Sequence, residues 1–168
     1  MNRENINSAI LFIGLILLQI VVLNNINFLG YINPFFYIFF IFLYPIRKDD
    51  ATLLVLSFFL GLFIDVFSDS GGINAAATLF IAFIRIPVLQ SVIGKREIDY
   101  GALTIFKLPF PKMFLYVVIL TVMHHLIVFG MEYFKWSKFD IIFIKTLLTS
   151  IFTIILTMIS FTFVMRKR

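Results

Sequence analysis

The sequence predicts an all-α integral membrane protein: a single transmembrane domain over residues 1–168, built as a bundle of about six helices with both termini cytoplasmic. Three observations carry this. Hydrophobic residues make up 61% of the chain and mean hydropathy is +1.05. Only 14% of residues are charged, against about 25% in an average soluble domain. The charges that do occur fall between long apolar runs, and the basic ones collect on alternate sides.

The runs can be taken in order. The first spans about Ser8 to Leu23. It is bounded by Asn24, Asn25 and Asn27, and no small-x-small cleavage site follows. The expectation is therefore a retained helix rather than a cleaved signal peptide. The second, about Tyr31 to Tyr44, is short and has Pro34 and Pro45 near its ends. The third covers about Thr52 to Phe67, the fourth Ile73 to Ile93, the fifth Met113 to Met131 and the sixth Ile141 to Met165. Crossing a hydrocarbon core takes about 20 helical residues. The second and third are marginal by that measure, so five spans, or a re-entrant second segment, stay open.

Basic residues set the orientation. With the N-terminus inside, the cytoplasmic segments hold Arg3, Arg47, Lys48, Lys95, Arg96, Lys107, Lys112, Arg166, Lys167 and Arg168. The opposite side holds Lys135 and Lys138. That bias favours an even number of crossings. The net charge of +5 is then a topology signal scattered over separate loops, so nucleic acid is not an expected partner. Cysteine is absent, which removes disulfides, thiolate metal sites and a cysteine nucleophile. The longest loop, about Gly94 to Lys112, is placed inside.

The most informative stretch is the hairpin of the third and fourth spans, Gly61 to Ala77. Asp65 lies about one turn inside the outer end of its span. A carboxylate there costs a few kcal/mol against lipid, so it is expected to face protein. Asp65 and Asp69 are four apart and share a helix face. Two readings follow: a polar or cation contact at the outer surface, or a turn in which Ser68, Asp69 and Ser70 cap the fourth span while Gly71 and Gly72 supply free backbone angles. The turn is the favoured reading for Asp69, and both stand for Asp65. Gly61, Gly72, Ala75, Ala76 and Ala77 are small enough for two helices to approach closely.

Other polar residues are few. Lys145 enters the sixth span near its outer end, at a depth similar to Asp65. It either pairs with Asp65 or snorkels outward, the second being favoured. Arg85, just before Pro87, is expected to snorkel to the inner interface, with Val88 to Ile93 lying along it. His124 and His125 are adjacent and point about 100° apart, so they do not form a two-ligand metal site; neutral rings bonded to a facing helix are expected. No nucleophile–base pair, phosphate-cradling glycine loop or metal cluster is visible, so no catalytic residue, cofactor or metal is assigned. The middles of the spans read as mostly Ile, Leu, Phe and Val, which weighs against a carrier with a polar path.

Pro34 opens the second span and Pro45-Ile46-Arg47 closes it. Gly61-x-x-x-Asp65-x-x-Ser68 ends the third, and Gly72 leads into Ala75-Ala76. This order resembles MreD, the bacterial rod-shape-determining membrane protein family. The basic tail Arg166-Lys167-Arg168, the length and the layout agree with it. The motif part covers about Pro34 to Arg85; the first, fifth and sixth spans match in hydropathy alone.

The resemblance implies a non-enzymatic scaffold in the cytoplasmic membrane, serving cell shape and peptidoglycan synthesis in the elongation machinery. Its partners would be membrane lipid and an MreC-like bitopic protein, within a larger complex holding MreB, RodA and a class B penicillin-binding protein. Candidate interaction or structural residues are Pro34, Gly61, Asp65, Ser68, Gly72, Ala76, Arg85 and Lys145. The family is also similar in helix layout to the substrate-binding S components of energy-coupling-factor transporters. The alternative function is thus a small-molecule carrier or substrate-capture subunit.

Overall fold

In the computed structural model, residues 3–26, 33–47, 50–94, 105–134 and 138–166 are described. The expectations for Asn27, Tyr31, Lys48, Lys95, Arg96, Lys135, Lys167 and Arg168, for the side chain of Arg3 and for 95–104 of the inner loop lie outside the described residues. The elements are α1 (Arg3–Leu17), α2 (Phe39–Leu43), α3 (Ala51–Ser68), α4 (Ile73–Ile93), α5 (Phe110–Tyr133) and α6 (Phe139–Arg166). A π-turn at Leu18–Val22 and a 3-10 turn at Leu23–Asn25 carry α1 onward to Asn25. The protein is a multi-pass all-helical membrane bundle. Five helical stretches are long and apolar enough to span: Ile6–Asn25, Ala51–Ser68, Ile73–Ile93, Phe110–Tyr133 and Phe139–Arg166.

The second span is the exception. Its helical part is a 3-10 turn, Phe36–Ile38, running into five residues of α2. Yet the chain does cross here. Asn24, ending the first helix, donates to Ser68 Oγ at the end of α3 (3.0 Å). At the other end, Ser8 and Thr52 line one cleft. The first and third helices therefore run the same way, and the chain must return between them. Residues 33–47 are that return. The end of α6 then lies at the same end of the bundle as the start of α1.

A return this short is tolerable because it is enclosed. Phe36 to Phe42 are all buried, and Tyr37, Ile38 and Ile41 have no exposed surface. Backbone that is not helical survives at membrane depth only where protein satisfies its polar groups. Three side chains do so here. Gln19 Nε2 donates to the Pro34 carbonyl (2.9 Å) and Gln19 Oε1 accepts from the Tyr37 N–H (3.2 Å). Thr153 Oγ1 accepts from the Phe35 N–H (3.2 Å). Arg85 donates to the carbonyls of Ile41, Tyr44 and Pro45 (3.1, 3.3 and 2.5 Å).

Arg85 therefore does not snorkel. It is 1% exposed and also faces Asp50 at 3.7 Å. Asp50 in turn caps α3 through the Leu53 N–H (3.1 Å). One guanidinium thus closes the inner end of the second segment and ties it to the start of α3. Its planar fork of donors suits three nearby carbonyls in a way a lysine would not. Nor do Val88 to Ile93 lie along the interface. α4 continues through Pro87, with Leu89 and Ile93 buried in the bundle.

Around this centre α3, α4, α5 and α6 pack in sequence order, with α1 on α2 and α3. The lipid-facing surface carries Phe, Ile and Leu from every long helix, among them Ile10, Phe59, Phe83, Phe114 and Ile151.

Candidate functional site

The outer end of the bundle gathers the polar residues of four elements around Asp65. Asp65 is 4% exposed. Its Oδ1 accepts from Ser70 Oγ (2.5 Å), the Asn74 N–H (2.9 Å) and Asn74 Nδ2 (3.0 Å); its Oδ2 accepts from the Ala75 N–H (2.8 Å). Two of these donors are free amides of the first turn of α4, where the helix dipole favours a carboxylate. So the residue that caps α4 is Asp65, reaching across the hairpin. Asp69 is not the cap: it closes α3 in the left-handed conformation (φ 51°), and its side chain is exposed. The residue before α4 is Gly72 (φ 93°), which offers no side chain to cap with.

This capping needs α3 and α4 in contact, and Gly61 permits it. A Cβ on Gly61 would stand 2.4 Å from the Asn74 carbonyl oxygen, 2.5 Å from Ala75 Cα and 2.6 Å from Ala75 N. Each distance is shorter than real side chains show. The small-residue reading of the hairpin therefore has a specific content: Gly61 lies under the first turn of α4. Ala75 and Ala77 are buried with it, whereas Ala76 points outward and is exposed.

A chain of hydrogen bonds runs from Asp65 into the bundle. Asn74 Nδ2 is committed to Asp65 and to Ser70 Oγ (2.9 Å), which fixes its Oδ1 as an acceptor toward Tyr37. Tyr37 Oη donates to it (2.8 Å) and stands 3.0 Å from His124 Nε2. With its proton spent on Asn74, Tyr37 accepts from His124, so His124 carries its proton on Nε2. His125 is the other tautomer. Its Nδ1 lies 2.6 Å from the Thr121 carbonyl, which can only accept, and its Nε2 faces Thr153 Oγ1 at 3.4 Å. The two rings therefore bond to different elements: His124 to Tyr37 of the second segment, His125 to its own helix and to Thr153 of α6. No group of three or more metal-ligating side chains occurs among the described residues.

The other expected residues divide. Pro34 is buried and gives its carbonyl to Gln19, and Ser68 is exposed and bonded to Asn24. Lys145 does not meet Asp65. It donates to Tyr133 Oη, lies 4.0 Å from Glu132 and sits over the rings of Phe129 and Tyr133. It belongs to a separate cluster joining α5 to α6.

Three residues of the site are not singled out by the sequence: Gln19, Tyr37 and Asn74. Gln19 lies in the π-turn, a feature often found at functional positions. Asn74 and Gln19 are amides inside apolar runs, and that was the available signal. The view that the span middles are apolar also needs correction. Thr121, His124, His125, Thr146, Thr149, Ser150, Thr153 and Thr157 are buried within α5 and α6. The outer faces are apolar; the interior mixes apolar side chains with these polar ones.

Above Asn74 the outer end opens into a cavity of about 810 Å³. Its walls come from the end of the first helix (Asn24, Asn25), the second segment (Asn33, Phe35), the α3–α4 turn (Phe67 to Gly71) and α5 (Val128, Glu132). Compared with protein-family models, curated proteins and solved structures, the chain gives no match.

Proposed function

We propose that this protein is a non-enzymatic interaction subunit of the cytoplasmic membrane, acting in the cell-shape and wall-elongation machinery through an MreC-like bitopic partner. The observation that carries this reading is the motif on which the resemblance to MreD rests: Pro34, Pro45-Ile46-Arg47, Gly61, Asp65, Ser68, Gly72 and Ala75-Ala76. Three of its members support one tight corner: Gly61 under α4, Asp65 capping α4, and Gly72 turning the chain. Such a corner presents a rigid outer end beside the exposed Ala76. A single membrane helix gains little by hydrophobicity on leaving lipid, so it binds by close fit at small residues and polar contacts at the ends. Ala76→Leu should weaken co-purification with an MreC-like protein without lowering the amount of folded protein. Depletion should round a rod-shaped host. Normal shape on depletion, together with no recovery of such a partner, would refute the reading.

A second reading, a substrate-capture subunit, is favoured by one observation: the polar outer cavity of about 810 Å³. Ligand sites usually occupy about 300–1,000 Å³. Impaired uptake of a nutrient on depletion, with shape unchanged, would select it over the first.

A further inference from the structure

We infer that the outer cavity is a binding site for a small water-soluble molecule carrying a protonated amine or quaternary ammonium group. The inference deepens the second reading above by naming the ligand class. The cavity is concave, and four separate elements of the bundle wall it. A protein contact of ordinary size buries about 800 Å² on each partner and is much flatter, so the shape suits a small molecule.

The lining decides the charge. Asp69 and Glu132 supply carboxylates, and no lysine, arginine or histidine lines the cavity among the described residues. The Asp69 side chain makes no hydrogen bond or ion pair within the described chain and is exposed, so its carboxylate is available. Glu132 is half satisfied, with Lys145 at 4.0 Å. Asn24, Asn25 and Ser68 make the rest of the polar wall, with Asn24 bonded to Gln19 and Ser68, and the Asn25 amide bonded to the Ile20 and Val21 carbonyls. Phe35 and Phe67 give aromatic surface, to which a cation or an apolar tail is attracted.

The floor is built rather than incidental. Asn74 is 3% exposed, and both of its Nδ2 protons are held, by Asp65 and by Ser70. Asp65 itself is turned away into α4 and is fully occupied by four donors. The carboxylate that the sequence marked most strongly is therefore part of the wall, and Asp69 is the one left to meet a ligand.

The test uses the full chain purified in maltoside micelles. Choline, ethanolamine and putrescine would be titrated by calorimetry, beside acetate and glycerol as anionic and neutral probes. Saturable binding of at least one amine is expected, without binding of acetate or glycerol. Asp69→Asn keeps the left-handed backbone, which asparagine tolerates, and should weaken that binding about tenfold. Glu132→Gln should weaken it too. Absence of binding by all three amines overturns the proposal. So does amine affinity that is unchanged in both variants. A neutral ligand recovered in this cavity would also overturn it, while leaving the capture reading intact.

Discussion

Replacing Gly61 with alanine is the sharpest test of the hairpin. The added methyl would meet backbone rather than a movable side chain, at 2.4 Å from the Asn74 oxygen and 2.5 Å from Ala75 Cα. Ordinary contact begins at 3.4 Å, so α4 must retreat by about 1 Å at its first turn. A rigid retreat of that size would lengthen the Asp65 bonds to the Asn74 and Ala75 amides, now 2.9 and 2.8 Å, to about 3.9 and 3.8 Å. Overpacking costs about 1–3 kcal/mol by itself, and each bond to a charged acceptor contributes about 1.5–3 kcal/mol. The expected loss is therefore at least about 4 kcal/mol, a large part of the stability of a typical domain. Fluorescence-detected size-exclusion chromatography over a temperature series would read it as a large drop in the midpoint and in the yield of monodisperse protein. Ala76→Leu, one position from the contact but facing outward, should leave both nearly unchanged. A Gly61→Ala protein within about 0.5 kcal/mol of the wild type, the range of neutral surface changes, would refute the close packing described here.

Other outcomes follow from the same contacts. Asp65→Ala should cost about 3 kcal/mol, since four donors lose their acceptor, and Asp65→Asn should recover only part of it, because an amide cannot accept at both positions. Combining Asp65→Ala with Lys145→Ala should give additive losses in the same melting assay, as the two residues belong to different clusters. Arg85→Ala should cost about 3–5 kcal/mol by stranding Asp50 and three carbonyls, and Arg85→Lys should not restore it. Tyr37→Phe should cost about 1–3 kcal/mol by leaving Asn74 Oδ1 and the His124 Nε2–H without a partner. Single cysteines at Asn25 and Ser68 should react with an impermeant thiol reagent from outside intact cells; labelling at Ser68 only after the cells are opened would overturn the orientation.

Hydropathy made the five long helices legible because each is a continuous apolar run flanked by charges or turns. It also placed the second segment, though not its form. A run of Phe, Ile and Tyr has the same hydropathy whether it is a lipid-facing helix or a short buried return. What distinguishes the two is who satisfies the backbone, and those groups come from Gln19, Arg85 and Thr153, distant in sequence. Each of the three is an isolated polar residue in an apolar helix. Arg85 was seen but assigned to the interface, since snorkelling is the ordinary fate of a membrane arginine. Nothing in its immediate neighbours showed that three carbonyls would be waiting. Likewise the importance of Asp65 was visible from its depth, but its partner was not. Lys145 was the obvious opposite charge at similar depth; the actual partners are mostly uncharged, two of them backbone amides.

These placements bear on where a partner helix can act. Gly61 and Ala76 are both small, and by sequence both suit a helix–helix contact. In the bundle Gly61 is consumed by α4, so a loss of complex in a Gly61 variant would report unfolding of the corner rather than a lost interface. Ala76 lies on the opposite side of the same turn and is exposed. Because Asp65 holds the two amides that immediately precede this point, those of Asn74 and Ala75, motion of the Ala76 surface is resisted by bonds to a buried carboxylate. A partner seated there would meet a fixed shape and lose little ordering entropy on its receptor's side. A variant that loosens Asp65 without emptying the site, such as Asp65→Asn, should therefore weaken partner recovery more than it lowers the yield of folded protein. Equal losses of the two would mean that the corner serves the fold alone.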